Sequence, residues 1–141
     1  DVYKRQPFQW AAMDTVAALQ AKARMLRSGL KAIANVEFHM EKIRDGYVQA
    51  FLSRGDRHIA DLLLQRHHLA GNWGQALKQS PLDTARYVTR PRDGDEILPW
   101  DFIDTGVAKS FLWRDYQKAL AGRTSPPCPT DGCTRCGACP T

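Results

Sequence analysis

Residues 16–33 read VAALQAKARMLRSGLKAI, and the spacing of their apolar side chains indicates the structural class of the chain. Apolar residues that recur every three or four positions lie on one face of an α-helix. Asp14 is the predicted N-cap, and Gly29 weakens the helix by about 1 kcal/mol relative to alanine, so we expect the helix to end or bend there. The residues of this apolar face are Val16, Leu19, Ala23, Leu26, Leu30 and Ile33.

The same spacing predicts further helices along the chain. Gly55 is expected to end one of them in a left-handed cap, and Asp56 to begin the next. Between residues 80 and 106, prolines and glycines interrupt any long element and leave room for one extended piece at residues 87–89. The predicted helical ranges are residues 43–52, 59–69, 73–78 and 107–120.

One segment alternates with a period of two instead. Val36, Phe38 and Met40 are separated by Glu37 and His39, which predicts a short strand with one buried face. The fold predicted from these patterns is therefore mostly α with one or two short strands.

The chain has 141 residues, the size of one ordinary domain and too few for a complete barrel enzyme. Hydrophobic residues make up 43% and charged residues 25%, which argues against a wholly disordered chain. No apolar run approaches the roughly 18 residues of a membrane span, so we expect a cytoplasmic protein without a membrane partner. The formal charge of +5 suits an acidic partner such as RNA.

Both ends of the chain have features that indicate truncation of a longer sequence. Residues 1–6 read DVYKRQ and correspond codon by codon to an adapter used in preparing sequencing libraries, so we exclude them from the fold. We expect the natural sequence to begin near Pro7, inside a larger protein, and to be truncated at Thr141 as well.

All four cysteines lie within the last fourteen residues, in the pattern C-x4-C-x2-C-x2-C. A disulfide framework would spread its cysteines through the fold to close loops, so this clustering favours metal ligation. Gly132 and Gly137 allow the tight turns that aim the sulfur atoms at one centre. The predicted metal ligands are Cys128, Cys133, Cys136 and Cys139.

The sequence leaves the metal open between an iron–sulfur cluster and zinc. Structural zinc sites usually join two C-x-x-C pairs across a dozen or more residues, whereas these four cysteines span twelve in all. Residues 133–139 match the first three ligands of the bacterial ferredoxin run, whose fourth cysteine would lie beyond Thr141. Alternatively, Cys128 is the fourth ligand.

Three further residues are candidates for contacting a substrate or an anion. Arg54 and Arg57 flank the junction at Gly55, and guanidinium groups bind phosphate or carboxylate; the alternative is that both are solvated or salt-bridged. His39 projects into a polar cavity if both faces of the predicted strand are covered, and is otherwise exposed or hydrogen-bonded. No phosphate-binding loop or catalytic triad motif occurs, so the catalytic residues are unknown.

Several motifs together resemble one protein family. The segments PFQW at residues 7–10, VEFH at 36–39 and FLSRGDR at 51–57 resemble parts of radical SAM proteins related to the methylthiotransferases. The run from LPWD to FL at residues 98–112, together with the terminal cysteines, narrows the resemblance to the subfamily that contains a cobalamin-binding domain. The resemblance covers nearly the whole chain from Pro7.

The resemblance implies a parent enzyme that cleaves S-adenosylmethionine with a [4Fe–4S] cluster to form a carbon radical, and that has cobalamin as a further cofactor. The C-x3-C-x2-C loop that holds this cluster in the family does not occur here, so the expected partner is the missing N-terminal part of the same protein, with RNA as another candidate. The substrate stays open. The alternative interpretation is a zinc-stabilised module that binds RNA or protein and has no catalytic activity.

The resemblance also implies a division of the chain into four regions. The second and third regions would be the distal part of a partial α/β barrel and a helical extension. The fourth would bind an auxiliary iron–sulfur cluster or zinc. In chain order, these regions are the adapter-derived residues 1–6, the barrel end 7–70, the extension 71–125 and the cysteine-rich tail 126–141.

Overall fold

The structure is a computed structural model that describes residues 5–129, 133 and 135–139. Within these residues the chain is mostly helical, which confirms that part of the prediction, and no helix there is long and apolar enough to cross a membrane. A 3₁₀ helix, Pro7–Trp10, precedes the α-helices. These are α1 (Val16–Leu30), α2 (Ile43–Arg54), α3 (Ile59–His68), α4 (Trp73–Gln79), α5 (Thr84–Val88) and α6 (Lys109–Leu120).

Two compact units share these elements. The middle unit comprises Ala12–Arg90 and contains α1 to α5, whereas the end unit combines Asp1–Ala11 with Pro91–Thr141 and contains the 3₁₀ helix and α6. The boundaries of these units differ from the region boundaries at residues 70 and 125, which stay a prediction. Residues 1–4 of the adapter-derived segment lie outside the described residues.

The middle unit is built on a core in which helices α2 to α5 meet. Arg54 ends α2 with only 3% of its surface exposed, and its Nε donates a hydrogen bond of 2.8 Å to the carbonyl oxygen of Tyr87. The Tyr87 hydroxyl donates to the Asp56 carboxylate, and its ring packs edge-on against Phe51. The buried apolar residues of this core are Phe51, Ile59, Leu62, Ala76 and Val88.

Gly55 separates α2 from α3 for a different reason than predicted. Its φ is −79°, so the predicted left-handed cap is wrong. A Cβ at this position would lie 1.7 Å from Cδ1 of Ile59 and 3.1 Å from the carbonyl oxygen of Phe51. The junction therefore requires glycine because the core packs against its backbone.

The predicted strand does not form in the described part of the chain. Residues 36–42 belong to no helix and run without a turn or bend, yet no second strand lies beside them. Alternation selects an extended backbone, but a strand also needs a neighbour to supply hydrogen bonds. The extended piece predicted at residues 87–89 is also wrong, because residues up to Val88 belong to α5, which Asp83 caps through the backbone N–H of Ala85.

Helix α1 has the predicted position but not the predicted burial. Its N-cap is Thr15, one residue after the predicted Asp14, and the Thr15 hydroxyl accepts a hydrogen bond from the Ala18 amide. Of its apolar face only Ala23 is buried, whereas Leu26 is exposed. Helical spacing determines which side chains share a face, but the surface that covers the face has to come from another element.

The end unit is held by a buried hydrogen bond between segments 91 positions apart. Trp100 Nε1 donates to Oε1 of Gln9 over 2.7 Å, and both residues are buried. This contact joins the PFQW and LPWD motifs, and α6 packs on both. The buried apolar residues of this core are Trp10, Leu98, Trp100, Leu112 and Tyr116.

Lys109, the first residue of α6, forms an ion pair with Asp101 of the LPWD loop at residues 98–101. Lys109 Nζ lies 2.5 Å from Asp101 Oδ2 and donates a second hydrogen bond to the carbonyl oxygen of Glu96. The Leu98 amide donates to the same carboxylate oxygen. Burial by itself raises the pKa of Asp101, but the hydrogen bonds from Lys109 and Leu98 outweigh it and hold the pKa below its usual value.

Asp101→Asn is expected to destabilise the end unit by about 1–3 kcal/mol at pH 7, the value of a hydrogen bond to a charged group. A carboxyl whose pKa is lower in the folded state stabilises the protein above its unfolded pKa of about 3.9, and this contribution disappears as the pH falls through the folded value. Urea unfolding followed by tryptophan fluorescence should therefore show a difference between variant and wild type at pH 7 that shrinks towards pH 3. Asp95→Asn, which removes an exposed charge from the same unit, is the control, and a gap that persists at pH 3 would contradict the assignment.

Candidate metal centre

The cysteine-rich tail returns to the start of α6. The backbone N–H of Ala108, the N-cap residue of α6, donates a hydrogen bond of 2.8 Å to the carbonyl oxygen of Cys136. Gly137 follows with a φ of +87°, and a Cβ there would lie 3.3 Å from the carbonyl oxygen of Gly106. Glycine is favoured at position 137 both by its backbone conformation and by this close approach.

Two of the four predicted ligands are close enough to influence each other's titration. Cys128 and Cys133 line the same cavity and shift each other's pKa, and none of the four cysteines forms a disulfide. Cys133 is buried and Cys136 half-buried, whereas Cys128 and Cys139 are exposed. Cys133 is thus the most enclosed of the four, Cys136 lies in the turn that is hydrogen-bonded to Ala108, and Cys128 and Cys139 are at the surface.

Arg135 influences the titration of Cys133, and sequence reasoning did not single it out. Its backbone N–H and its guanidinium group, beside Cys133, lower the pKa of that thiol. The guanidinium also donates to the carbonyl oxygen of Pro127 over 3.3 Å, next to Cys128. The negative charge of Cys133 in turn raises the pKa of Cys128. The only feature of the sequence that pointed to Arg135 was its position as a basic residue two places after Cys133, a predicted ligand.

Three of the cysteines line a cavity of about 330 Å³ on the side of α6. Its walls include Phe111 and Leu112 of α6 and the Pro126-Pro127 pair. An apolar wall excludes water from a metal centre and strengthens the electrostatic interactions of its ligands. The cavity is thus a suitable surrounding for a thiolate-bound metal.

The donor set fits a soft metal, whereas the ligand geometry is only partly assembled. Thiolates are the preferred ligands of zinc and of iron–sulfur clusters. In the described residues, however, no three His, Cys, Asp or Glu side chains converge as a metal-binding group. Gly132, predicted to give the loop its freedom, lies outside the described residues.

The other predicted site residues lie in the middle unit, away from the cysteines in the chain. Arg54 is buried in the core, where it donates a hydrogen bond to the carbonyl oxygen of Tyr87. Arg57 is exposed just before α3. His39 is exposed and hydrogen-bonded to the Glu37 carboxylate over 2.9 Å. The structure gives Arg54 and His39 separate partners, and their contact with a substrate or an anion stays a prediction.

Comparison of the chain with models of protein families, with curated proteins and with solved structures finds no match.

Gly137→Ala is expected to loosen the tail, because a left-handed conformation costs a non-glycine residue roughly 1–2 kcal/mol. Hydrogen–deuterium exchange should become faster at the amide of Ala108, the donor to Cys136, while exchange in α2 stays unchanged. Gly29→Ala, in a helix with open space around the glycine, is the matched control and should slow exchange locally. Unchanged protection of the Ala108 amide in Gly137→Ala would show that the tail does not depend on this turn.

Proposed function

We propose that the tail formed by residues 126–139 is a metal-binding site that holds either an iron–sulfur cluster or zinc through Cys128, Cys133, Cys136 and Cys139. The observation that carries this proposal is that Cys128, Cys133 and Cys136 line one apolar cavity. A buried thiol whose pKa is lowered by a neighbouring arginine, as that of Cys133 is by Arg135, has the charge-stabilised character of thiolates that bind soft metals. An iron–sulfur cluster supplies electron transfer, whereas zinc would supply stability.

We place this site in the C-terminal part of a radical SAM protein, as an auxiliary centre. Support comes from the motifs that carry the resemblance, which are PFQW at residues 7–10, VEFH at 36–39, FLSRGDR at 51–57 and LPWD at 98–101. The S-adenosylmethionine-cleaving [4Fe–4S] cluster, and cobalamin if it is used, would belong to the part of the parent protein that precedes Pro7. The barrel end in residues 7–70 and a cytoplasmic location, where metal-binding thiols stay reduced, belong to the same proposal.

The iron–sulfur form is favoured over zinc by the compact spacing. A run of C-x2-C-x2-C brings three sulfurs onto one short loop, as in bacterial ferredoxins, whereas zinc sites commonly take two pairs from separated segments. The exposed position of Cys139 leaves its sulfur accessible for ligation once the loop closes.

A second function is favoured by the distribution of charge. The middle unit contains twelve Lys and Arg against seven Asp and Glu, while the end unit has eight of each, so the whole surplus of +5 lies in the middle unit. Arg27, Lys42 and Arg44 line one open cavity at α1 and the start of α2, where they outnumber the carboxylates of Glu41 and Asp45. A zinc-stabilised module that binds RNA through this basic surface is therefore the alternative.

Metal analysis separates these functions. The chain is expressed and purified without oxygen in the presence of iron and sulfide, and iron, labile sulfide, zinc and the visible spectrum are measured. Broad brown absorbance with bound iron and sulfide is the expected result. Colourless protein with about one zinc per chain would support the alternative module, and protein that retains neither metal would contradict both.

Substitution of single cysteines tests the ligand set. Cys133→Ser and Cys136→Ser are each expected to lower bound metal to a small fraction of the wild-type content, because each removes a thiolate ligand. Ser125→Ala changes another residue that lines the same cavity and should retain the metal. Wild-type metal content in Cys128→Ser would remove Cys128 from the ligand set and leave the ferredoxin-like run of three.

Binding to RNA tests the alternative directly. Fluorescence anisotropy with a labelled single-stranded RNA should show salt-dependent binding if the basic surface is an interface. Arg27→Gln combined with Arg44→Gln should then weaken binding, whereas Arg123→Gln, which removes a charge from the end unit, should have little effect. Equal affinity in the wild type and in Arg27→Gln with Arg44→Gln would exclude this surface.

A further inference from the structure

Residues 36–42, the extended segment before α2, have backbone N–H groups without backbone partners in the described part of the chain. Residues 36–42 run without a turn or bend, and the backbone N–H groups of residues 36–41 donate to no backbone carbonyl in the described part of the chain. Asn35, with a φ of +61°, ends the segment on one side, and α2 begins at Ile43 on the other. The segment is long enough for one strand of ordinary length.

Four of the five side chains at residues 36–40 are also exposed, and Phe38 between them is half-buried. Val36 and Met40 are 42% and 45% exposed, and Glu37 and His39 project into solvent. An exposed row of backbone donors and acceptors with an alternating apolar face is a template for pairing with another strand. The remaining question is which strand fits it.

The sequence of the segment is complementary to itself. In an antiparallel pair centred on Phe38, Val36 lies opposite Met40 of the second copy, and Glu37 lies opposite His39. Directly opposed residues on one face of an antiparallel pair interact, and opposite charges or a carboxylate and a histidine N–H stabilise the pair. A symmetric pair contains this Glu37–His39 contact twice.

Neighbouring registers lose this complementarity. Centring the pair on Glu37 would place two Glu37 side chains opposite each other, and centring it on His39 would place Glu37 opposite Glu41. Like charges directly opposite one another destabilise a strand pair. A shift by a single residue would set apolar side chains opposite polar ones. Among the registers centred on Glu37, Phe38 and His39, only the one centred on Phe38 satisfies both faces.

We infer that residues 36–40 form a two-stranded antiparallel ribbon with the same residues of a second copy of the chain, making a symmetric dimer. Ile33, which precedes the segment and is 52% exposed, supplies further apolar surface near the ribbon. This inference concerns the middle unit and does not rest on the proposed metal centre.

The first test is the molar mass of the full chain in solution. Size-exclusion chromatography with light scattering over a range of concentrations should show a monomer–dimer equilibrium. Glu37→Lys places a lysine opposite a histidine, and His39→Glu places two carboxylates opposite each other, so each should weaken the dimer by roughly tenfold in dissociation constant. Glu41→Lys makes the same charge change just outside the paired residues and should dimerise like the wild type. Circular dichroism checks that the helices of each variant are unchanged.

The decisive test mixes the two weakened variants. When a Glu37→Lys chain pairs with a His39→Glu chain, the introduced lysine lies opposite the introduced glutamate, and the remaining Glu37 lies opposite the remaining His39. The mixture should therefore form heterodimers more tightly than either variant forms homodimers. Native mass spectrometry of chains with different isotope labels measures this preference.

Three results would overturn the inference. The first is a wild-type chain that stays monomeric at high concentration. The second is a dimer whose affinity is the same in all variants, and the third is a mixture with no preference for heterodimers.

Discussion

The end unit depends on the buried hydrogen bond from Trp100 Nε1 to Gln9 Oε1. Both groups are removed from water, and a buried donor without an acceptor would cost about 1–3 kcal/mol. The bond therefore selects one arrangement of the 3₁₀ helix against the LPWD loop, and Trp10, Leu98 and α6 pack around it. A contact between segments so far apart is what makes the first and last parts of the chain a single unit rather than two tails.

The position of α6 follows from this core, and the candidate metal centre follows from α6. Lys109 is anchored to Asp101 in the same loop, which places the start of the helix. The Ala108 amide then donates a hydrogen bond to the carbonyl oxygen of Cys136 in the tail. The side of α6 forms the wall of the cavity beside Cys128 and Cys133. A site built this way couples metal binding to the stability of the end unit, because ligands that are ordered by the fold also stabilise it when metal is bound.

The middle unit shows a different balance. Its core around Phe51 and Tyr87 is closed, and Arg54 and Asp56 are hydrogen-bonded within or beside it. On the other hand, α1 and the segment after it leave apolar side chains such as Leu26 and Val36 exposed, and all of the surplus positive charge lies in this unit. The surplus positive charge distinguishes these surfaces from the end unit, where apolar side chains such as Ile97 and Phe102 are exposed as well.

The sequence by itself determined the helical class, most helix positions, the end of α6 at residue 120 and the cysteines that could serve as ligands, since periodicity and residue chemistry are local properties. Only the tertiary structure decided that Gly55 is needed for contact with Ile59, that residues 84–88 are helical, and that residues 36–40 have no neighbouring strand in the described part of the chain. The tertiary structure also decided that Arg135 lies beside Cys133 and lowers the pKa of its thiol. The physical reason is the same in each case: a spacing pattern specifies which side chains share a face, whereas burial, close approach and strand pairing depend on residues far away in the sequence.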